Sequence, residues 1–348
     1  MRATTIAMAM GLATAAVAVV AQPVQPGQAA QRAQAGQPVQ AVQPVDRAVL
    51  HVQVVLDRLG FGPGVLDGRG GQSLVNALKG FQESRGLPTS GKADAATLQA
   101  LQQYRAIRPT VDVTLDGDAF RGPFVNPIPK DYAEQSKLKT MGYTRPLEGL
   151  AERFHTTPQA LIALNTPGMR IAPGTKITVP NALPSARDYP QDATPEWRRT
   201  LASLNVDSNV PQAARIEVVK SRGVLRVLDA QGKLLGQYTA TIGSARDPLP
   251  LGTWKVLHVS PNPDWKMNPL ILKGVSNSKP SQIIPPGPNN PVGVVWIDLS
   301  KEHYGIHGTA DPAKIGVSQS NGCVRLTNWD AARVALMVKG GTPVIFRA

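Results

Sequence analysis

The C-terminal part of the chain alternates short β-forming runs with turns that contain glycine or proline, and this pattern constrains the fold most strongly. The runs lie at 215–219, 224–228, 234–242, 252–257 and 294–299. One helix is predicted over 330–338, N-capped near Asn328 or Asp330, and a last strand over 343–346. Strands at such short spacing are typical of a sandwich or barrel. We therefore predict a mainly β domain over residues 214–348.

The same region holds the only cysteine of the chain, Cys323. A single cysteine is a buried small hydrophobe, an intermolecular disulfide partner or a reactive thiol. Its setting favours the reactive interpretation, because Gly322 allows close approach of a substrate and leaves backbone N–H groups for an oxyanion. His307, beside Gly308, is the candidate base that a thiol needs at neutral pH. A zinc site from His303, His307 and Cys323 is an alternative, although their spacing matches no zinc motif.

These residues resemble the YkuD-type L,D-transpeptidase catalytic domain, whose signature is His-Gly followed by Ser-[His or Asn]-Gly-Cys-[Ile or Val]-Arg. Here the signature reads His307-Gly308 and Ser320-Asn321-Gly322-Cys323-Val324-Arg325. Asp247–Thr253 is similar to the proline-glycine strand entry of the family, Asn262–Trp265 to the start of its substrate lid, and Pro285–Gly293 to the segment that closes the lid in the Gram-negative branch. Position 321 is Asn where many members carry His.

The resemblance implies acyl transfer through a thioester. Cys323 is then the nucleophile, His307 exchanges protons with the thiol and the leaving amine, and backbone N–H groups of Gly322 and Cys323 are candidates for the oxyanion hole. Arg325 would bind a substrate carboxylate or lower the thiol pKa, with a structural ion pair as the alternative. The remaining candidates for substrate binding are Ser320, Asn321, Gly308, Tyr304 and Trp265, and core roles are an equal alternative for the two aromatic residues.

The N-terminus has the features of a secretory signal peptide over residues 1–21. Arg2 precedes an apolar run over 6–20, and the small Ala21 marks the expected cleavage site. A membrane-spanning helix needs about twenty apolar residues, so an uncleaved anchor is the less favoured alternative, and no transmembrane span is expected after cleavage. Residues 22–45 are mainly Gln, Pro, Ala, Val and Gly, which predicts a disordered tether.

Residues 46–104 show helical periodicity in three stretches separated by glycine-containing turns. The first stretch ends at Gly60–Gly64, the second ends at Gly86, and the third begins after Asp94, a predicted N-cap. We predict a small three-helix bundle. Its order of helices and turns resembles the peptidoglycan-binding domain 1 family, which implies attachment to the cell wall.

The middle of the chain contains a second small module between two linkers. Residues 105–138 lack periodicity and are predicted to be a linker. Residues 139–182 predict a βααβ order, with a first strand at Tyr143 and a last strand over 171–180, and resemble a LysM domain. That resemblance implies binding of N-acetylglucosamine-containing glycans. Residues 183–213 are predicted to be a second linker with one short helix around 195–204.

The sequence thus predicts a multidomain α+β protein. Thirty-seven basic and 24 acidic residues give a net charge of +13, which favours an anionic polymer as neighbour. Nucleic acid is the rival partner, but the signal peptide removes the protein from the cell interior and no nucleic-acid module is visible. The resemblances imply a periplasmic, wall-associated enzyme acting on peptidoglycan stem peptides and glycan strands, and they imply no metal or organic cofactor.

The acyl acceptor stays open at this point. By resemblance, the donor is a tetrapeptide stem that releases D-alanine. An amine of a second stem would give a 3-3 cross-link, a lysine of an outer-membrane protein would attach that protein to the wall, and water would make the enzyme an L,D-carboxypeptidase. A non-catalytic alternative is a glycan-binding protein that works through residues 46–182.

Overall fold

The computed structural model describes residues 43–166, 168, 170–243, 248–269, 276, 278–317 and 322–348. The expected signal peptide and most of the expected tether lie outside these residues. Within the described ranges, no helix combines the length and apolar character needed to cross a membrane.

The helices are α1 Arg47–Arg58, α2 Gln72–Ser84, α3 Ala95–Leu101, α4 Tyr132–Gln135, α5 Pro146–Arg153, α6 Pro158–Leu164, α7 Pro195–Ser203 and α8 Asn328–Met337. The strands are β1 Phe61–Gly62, β2 Thr110–Thr114, β3 Lys176–Pro180, β4 Arg215–Val219, β5 Val224–Leu228, β6 Leu234–Thr239, β7 Thr241–Ile242, β8 Gly252–Pro261, β9 Trp265–Met267, β10 Gln282–Ile284, β11 Val295–Leu299, β12 Gly305–His307, β13 Val324–Arg325 and β14 Pro343–Arg347.

Most C-terminal strands join one mixed sheet. Its order among the described residues is β1-β6-β5-β4-β14-β8-β11-β12-β13-β7. Only Ala240 separates β6 from β7 along the chain, yet β7 is at the far end of this order. Neighbouring strands are about 4.8 Å apart, so a flat sheet cannot satisfy both conditions. The sheet must therefore curve back on itself, which brings β12 and β13 close to the β6–β7 connection.

The core of this sheet also buries residues from the predicted second linker. α7 begins after Thr194, whose side chain accepts a hydrogen bond from the Trp197 N–H, and it places Trp197 and Leu201 in the core beside β4 and α8 residues. The short helix expected here is present, but an amphipathic helix with a buried face is part of the fold and not a spacer. α8 is capped by Thr327, one residue before the expected position, because the Thr327 Oγ1 accepts from the Asp330 N–H at 3.1 Å.

The N-terminal helices α1, α2 and α3 share a buried apolar cluster that continues into the large sheet. Phe81 and Leu56 are fully buried in it, and Leu228 and Leu234 from the β5–β6 hairpin belong to the same cluster. The predicted turn after α1 contains β1, which pairs in parallel with β6. This region is therefore attached to the edge of the large sheet through both backbone pairing and side-chain packing.

The middle region differs from the predicted βααβ order. Tyr143 and Thr144 do not form a strand. The Thr144 N–H donates instead to the side chain of Glu148, which lies in the first turn of α5. β3 pairs instead with β2, which comes from the segment predicted to be a linker. The predicted linker over 105–138 therefore contributes a strand and the short helix α4 to the fold.

A buried charged cluster joins the three regions. His155 Nδ1 lies 3.0 Å from Asp57 Oδ2, and its Nε2 donates to the Leu204 carbonyl at 2.7 Å. Arg333 Nη2 lies 3.5 Å from Asp57 Oδ1. Burial alone would raise the pKa of Asp57, but the positive charges of His155 and Arg333 lower it to about 2. Asp57 therefore stays ionised and connects α1 to the middle region and to α8.

Candidate active site

A cavity of about 420 Å³ brings together several residues that the sequence singled out. Cys323, His307, Arg325 and Trp265 all line it. They come from β9, β12 and the chain around β13. The other lining residues that matter below are Tyr132, Ser260, Lys266, Trp296 and His303.

Strand pairing brings His307 and Cys323 together. β12 and β13 run in parallel, with Ile306 opposite Val324 and His307 opposite Arg325. Cys323 directly precedes β13 and lies two residues before Arg325, the residue opposite His307. The fifteen residues between His307 and Cys323 lead from β12 towards β13.

His307 is held in one tautomer. Its Nδ1 lies 2.7 Å from the Gly308 carbonyl oxygen, and a carbonyl can only accept, so Nδ1 carries the hydrogen and Nε2 is the basic nitrogen. The ring also stacks on Trp296, with a centroid distance of 5.4 Å and an angle of 20°. Burial, assisted by the charge of Arg325, lowers the pKa of His307 to about 3. The imidazole is therefore neutral near pH 7 and able to accept a proton.

Cys323 is half-buried, and its thiol lies 3.7 Å from the His303 carbonyl oxygen. Burial raises the pKa of the thiol, while a backbone hydrogen bond at Gly305 and the charge of Arg325 oppose the increase. The resting pair is thus a neutral thiol with a neutral imidazole. Such a pair reacts when the thiol transfers its proton as it attacks.

The turn before the thiol requires glycine. Gly322 has a φ of +103°, a region that residues with a Cβ rarely adopt, and a Cβ at this position would lie 2.8 Å from the Tyr304 ring. Tyr304, which was predicted to line the donor groove, lies against this turn. Its contact with Gly322 fixes the chain directly before Cys323.

Arg325 lines the cavity beside Cys323. Its Nε is buried and makes no hydrogen bond to any residue that the structure describes. Burial lowers the pKa of the guanidinium, while the thiolate form of Cys323 and the charge of Asp311 favour its cationic form. An arginine that lines a cavity can bind a carboxylate.

Of three other sequence candidates, only Gly308 lies within the described residues. Gly308 was expected to give substrate access, but a Cβ there would lie 2.1 Å from Asn328 Oδ1, so its small size serves packing against α8. Ser320 and Asn321 lie outside the described residues. As for the zinc alternative, the described part of the chain contains no group of three His, Cys, Asp or Glu side chains arranged to hold a metal.

The sequence did not indicate a role in this site for Trp296, Asn328 or Tyr132. Asn328 is fully buried, and its Oδ1 accepts from the Thr309 N–H at 3.0 Å, one residue beyond the carbonyl that orients His307. Trp296 faces His307 across the β11–β12 pair. Strand alternation could have placed Trp296 on one face of β11, but nothing in the local sequence indicates the partners of Asn328 or Tyr132.

Two known families match parts of the chain. Residues 213–346 match YkuD, described as the L,D-transpeptidase catalytic domain, and residues 46–101 match a putative peptidoglycan binding domain. Residues 102–212, which include the region that resembles LysM, lie between the two matches.

The most similar proteins include two from Bacillus. A putative L,D-transpeptidase YkuD of Bacillus licheniformis is 28% identical over 201 residues, which cover 57% of this chain and 91% of that protein. The putative L,D-transpeptidase YkuD of Bacillus subtilis is 51% identical over 57 residues, 16% of this chain and 35% of that protein. A solved L,D-transpeptidase from Mycobacterium smegmatis is similar over 38% of this chain and 58% of that chain, less than two thirds of its length, with 22% identity and a TM-score of 0.32. The chain therefore carries an L,D-transpeptidase catalytic domain of the YkuD family, joined to a putative peptidoglycan binding domain.

Proposed function

We propose that this protein is a peptidoglycan L,D-transpeptidase that acts through a thioester on Cys323. The observation that carries the proposal is the shared cavity of Cys323 and His307, with His307 Nδ1 bonded to the Gly308 carbonyl. That bond leaves Nε2 as the nitrogen that receives the thiol proton. The donor is a tetrapeptide stem, attacked at the carbonyl between its third residue and the terminal D-alanine.

The first half-reaction forms the thioester. The sulfur of Cys323 bonds to the carbonyl carbon while the thiol proton moves to His307 Nε2. Backbone N–H groups at Gly322 and Cys323 stabilise the negative charge on the carbonyl oxygen. The bond from carbon to the D-alanine nitrogen then breaks, and His307 gives its proton to that amine. Arg325 supports this step by binding a carboxylate of the stem.

The second half-reaction transfers the acyl group to an acceptor. An amine attacks the thioester carbonyl, loses a proton to His307, and forms an amide as the bond to sulfur breaks. The sulfur recovers its proton from His307. A stem amine gives a 3-3 cross-link, a lysine of an outer-membrane protein gives a protein attached to the wall, and water gives a shortened stem.

The remaining features support a periplasmic, wall-associated enzyme. The match over residues 46–101 is to a putative peptidoglycan binding domain, and the net charge of +13 favours binding to an anionic polymer. The predicted signal peptide over residues 1–21 would export the protein. Residues 139–182 are proposed to add glycan binding.

Intact-mass spectrometry with a disaccharide-tetrapeptide tests the chemistry. Wild-type protein is expected to gain the mass of the donor less D-alanine, and Cys323→Ala is expected to gain nothing. A second incubation with an amine acceptor then separates cross-linked product from the tripeptide that hydrolysis releases. A wild-type protein that forms no adduct while still binding isolated sacculi would refute the proposal and favour a glycan-binding role.

A further inference from the structure

A segment outside both matched domains reaches the catalytic cavity. Residues 128–141, here called the strap, lie between the two family matches and include α4. Tyr132 of the strap lines the same cavity as Cys323 and His307. Part of the cavity wall therefore comes from a segment that the matched catalytic domain does not contain.

Aromatic and apolar packing fixes the strap to the hairpin formed by β9 and β10. The rings of Tyr132 and Trp265 meet edge to face, with centroids 5.5 Å apart and planes at 66°. Met141 is buried in one cluster with Met267 and Ile284 of the hairpin. The strap and the hairpin thus share a small hydrophobic core separate from that of the large sheet.

Hydrogen bonds fix the strap in register with the hairpin and the segment after it. Ser136 Oγ donates to Gln282 Oε1 at 3.0 Å. The Met141 N–H donates to the Pro286 carbonyl at 2.8 Å, and the Met141 carbonyl accepts from the Asn289 N–H at 2.9 Å. Both backbone groups of Met141 are therefore used, so the strap is held along its length and not only at Tyr132.

The cavity wall beside the strap combines aromatic and cationic groups. Tyr132 and Trp265 supply flat apolar surface, and Lys266 and Arg325 supply positive charge. This combination suits a peptide that carries carboxylates. We propose that Tyr132 is a specificity-determining residue that contacts the stem peptide of the acyl donor, and that the strap holds the β9–β10 hairpin where it forms this wall. The inference rests on the proposed function, because it assigns part of the binding site for that substrate.

The test compares variants of Tyr132 with a matched aromatic control. Tyr132→Ala removes the part of the cavity wall that Tyr132 supplies. Tyr132→Leu removes the ring but keeps apolar packing, and it serves as the second variant if the alanine variant folds poorly. Phe124→Ala removes a partly exposed aromatic residue just before the strap that does not line the cavity. Two rates are measured for each protein: acylation of Cys323 against tetrapeptide concentration, and alkylation of Cys323 by iodoacetamide, which needs no peptide site.

We expect Tyr132→Ala and Tyr132→Leu to raise the half-saturating tetrapeptide concentration roughly tenfold, as loss of an aromatic contact implies. Alkylation should stay at the wild-type rate, and Phe124→Ala should match the wild type in both assays. Unchanged half-saturation in both Tyr132 variants would overturn this inference while leaving the proposed function intact. A parallel loss of acylation and alkylation would also overturn it, because Tyr132 would then act on the cysteine and not on the peptide. A wild-type protein that is alkylated but never acylated would overturn both.

Discussion

Replacing Glu152 with glutamine is expected to remove a distinct part of the pH dependence of stability. Glu152 on α5 is only 6% exposed, and its Oε1 accepts a hydrogen bond from Asn328 Nδ2 at 2.8 Å. Burial raises the pKa of Glu152 to about 7, and the charge of Glu148 acts in the same direction. Hydrogen bonds from Tyr143 and Asn328 oppose the increase without cancelling it.

The size of the effect follows from the two states of this carboxyl group. Between its ordinary pKa of 4.5 and about 7, the folded protein keeps the proton on Glu152 while the unfolded chain has released it. The free energy of unfolding therefore falls as the pH rises through this window and levels off above it. Each pH unit contributes about 1.4 kcal/mol, so the total loss is roughly 3 kcal/mol. Glutamine cannot ionise, so the variant lacks this loss.

Urea unfolding at intervals from about pH 4.5 to 7.5 would measure the effect. Across this pH range, the free energy of unfolding of Glu152→Gln minus that of the wild type should rise by roughly 3 kcal/mol. A constant difference in stability between the two proteins does not affect this expectation. Glu196→Gln is the matched control, because the Glu196 side chain on α7 is 64% exposed. If Glu152→Gln and the wild type share one pH dependence, the reasoning about a buried protonated carboxyl is refuted.

Three further predictions concern the catalytic turn, the buried charge cluster and the thiol. Gly322→Ala should slow acylation of Cys323 at least about tenfold, because the positive φ of Gly322 and the nearby Tyr304 ring exclude a Cβ. Gly341 also has a positive φ but lies in open space, so Gly341→Ala should be acylated at the wild-type rate. Equal acylation rates in the two variants would contradict this prediction. Asp57→Asn should lower the free energy of unfolding by roughly 3 kcal/mol, because buried Arg333 loses one of its two carboxylate partners and keeps only Asp330. An unchanged urea midpoint would contradict this. Alkylation of Cys323 should keep accelerating above pH 9, because burial raises the pKa of the thiol, and a plateau below pH 8 would argue against it.

Local sequence was sufficient for part of the regular elements. Alternating β-forming runs predicted β4 and β5 at their observed bounds, and the short helix predicted around 195–204 corresponds to α7. The two-residue strand β13 was not predicted, because two residues carry no periodicity. The strand expected at Tyr143 was wrong, because the Thr144 N–H that a strand would use donates to the Glu148 side chain.

The proposed nucleophile and base were recognisable for a different reason. A single cysteine after a glycine, with a histidine beside another glycine, indicates Cys323 and His307 as candidates by residue type alone. Their proximity is a tertiary fact, because the parallel register of β12 and β13 brings together residues sixteen positions apart. The tautomer and low pKa of His307 likewise depend on burial and on the Gly308 carbonyl.

The sequence by itself therefore indicated the two domains that match known families, most strands of the large sheet and the candidate nucleophile and base. Only the tertiary structure decided that the predicted linkers are parts of the fold, that Tyr132 lines the catalytic cavity and that Asn328 connects Glu152 to the backbone beside His307. The physical reason is the separation along the sequence of the residues that interact. Periodicity, turns and caps are set by neighbours within a few residues, whereas contacts between residues more than a hundred positions apart depend on how the whole chain packs.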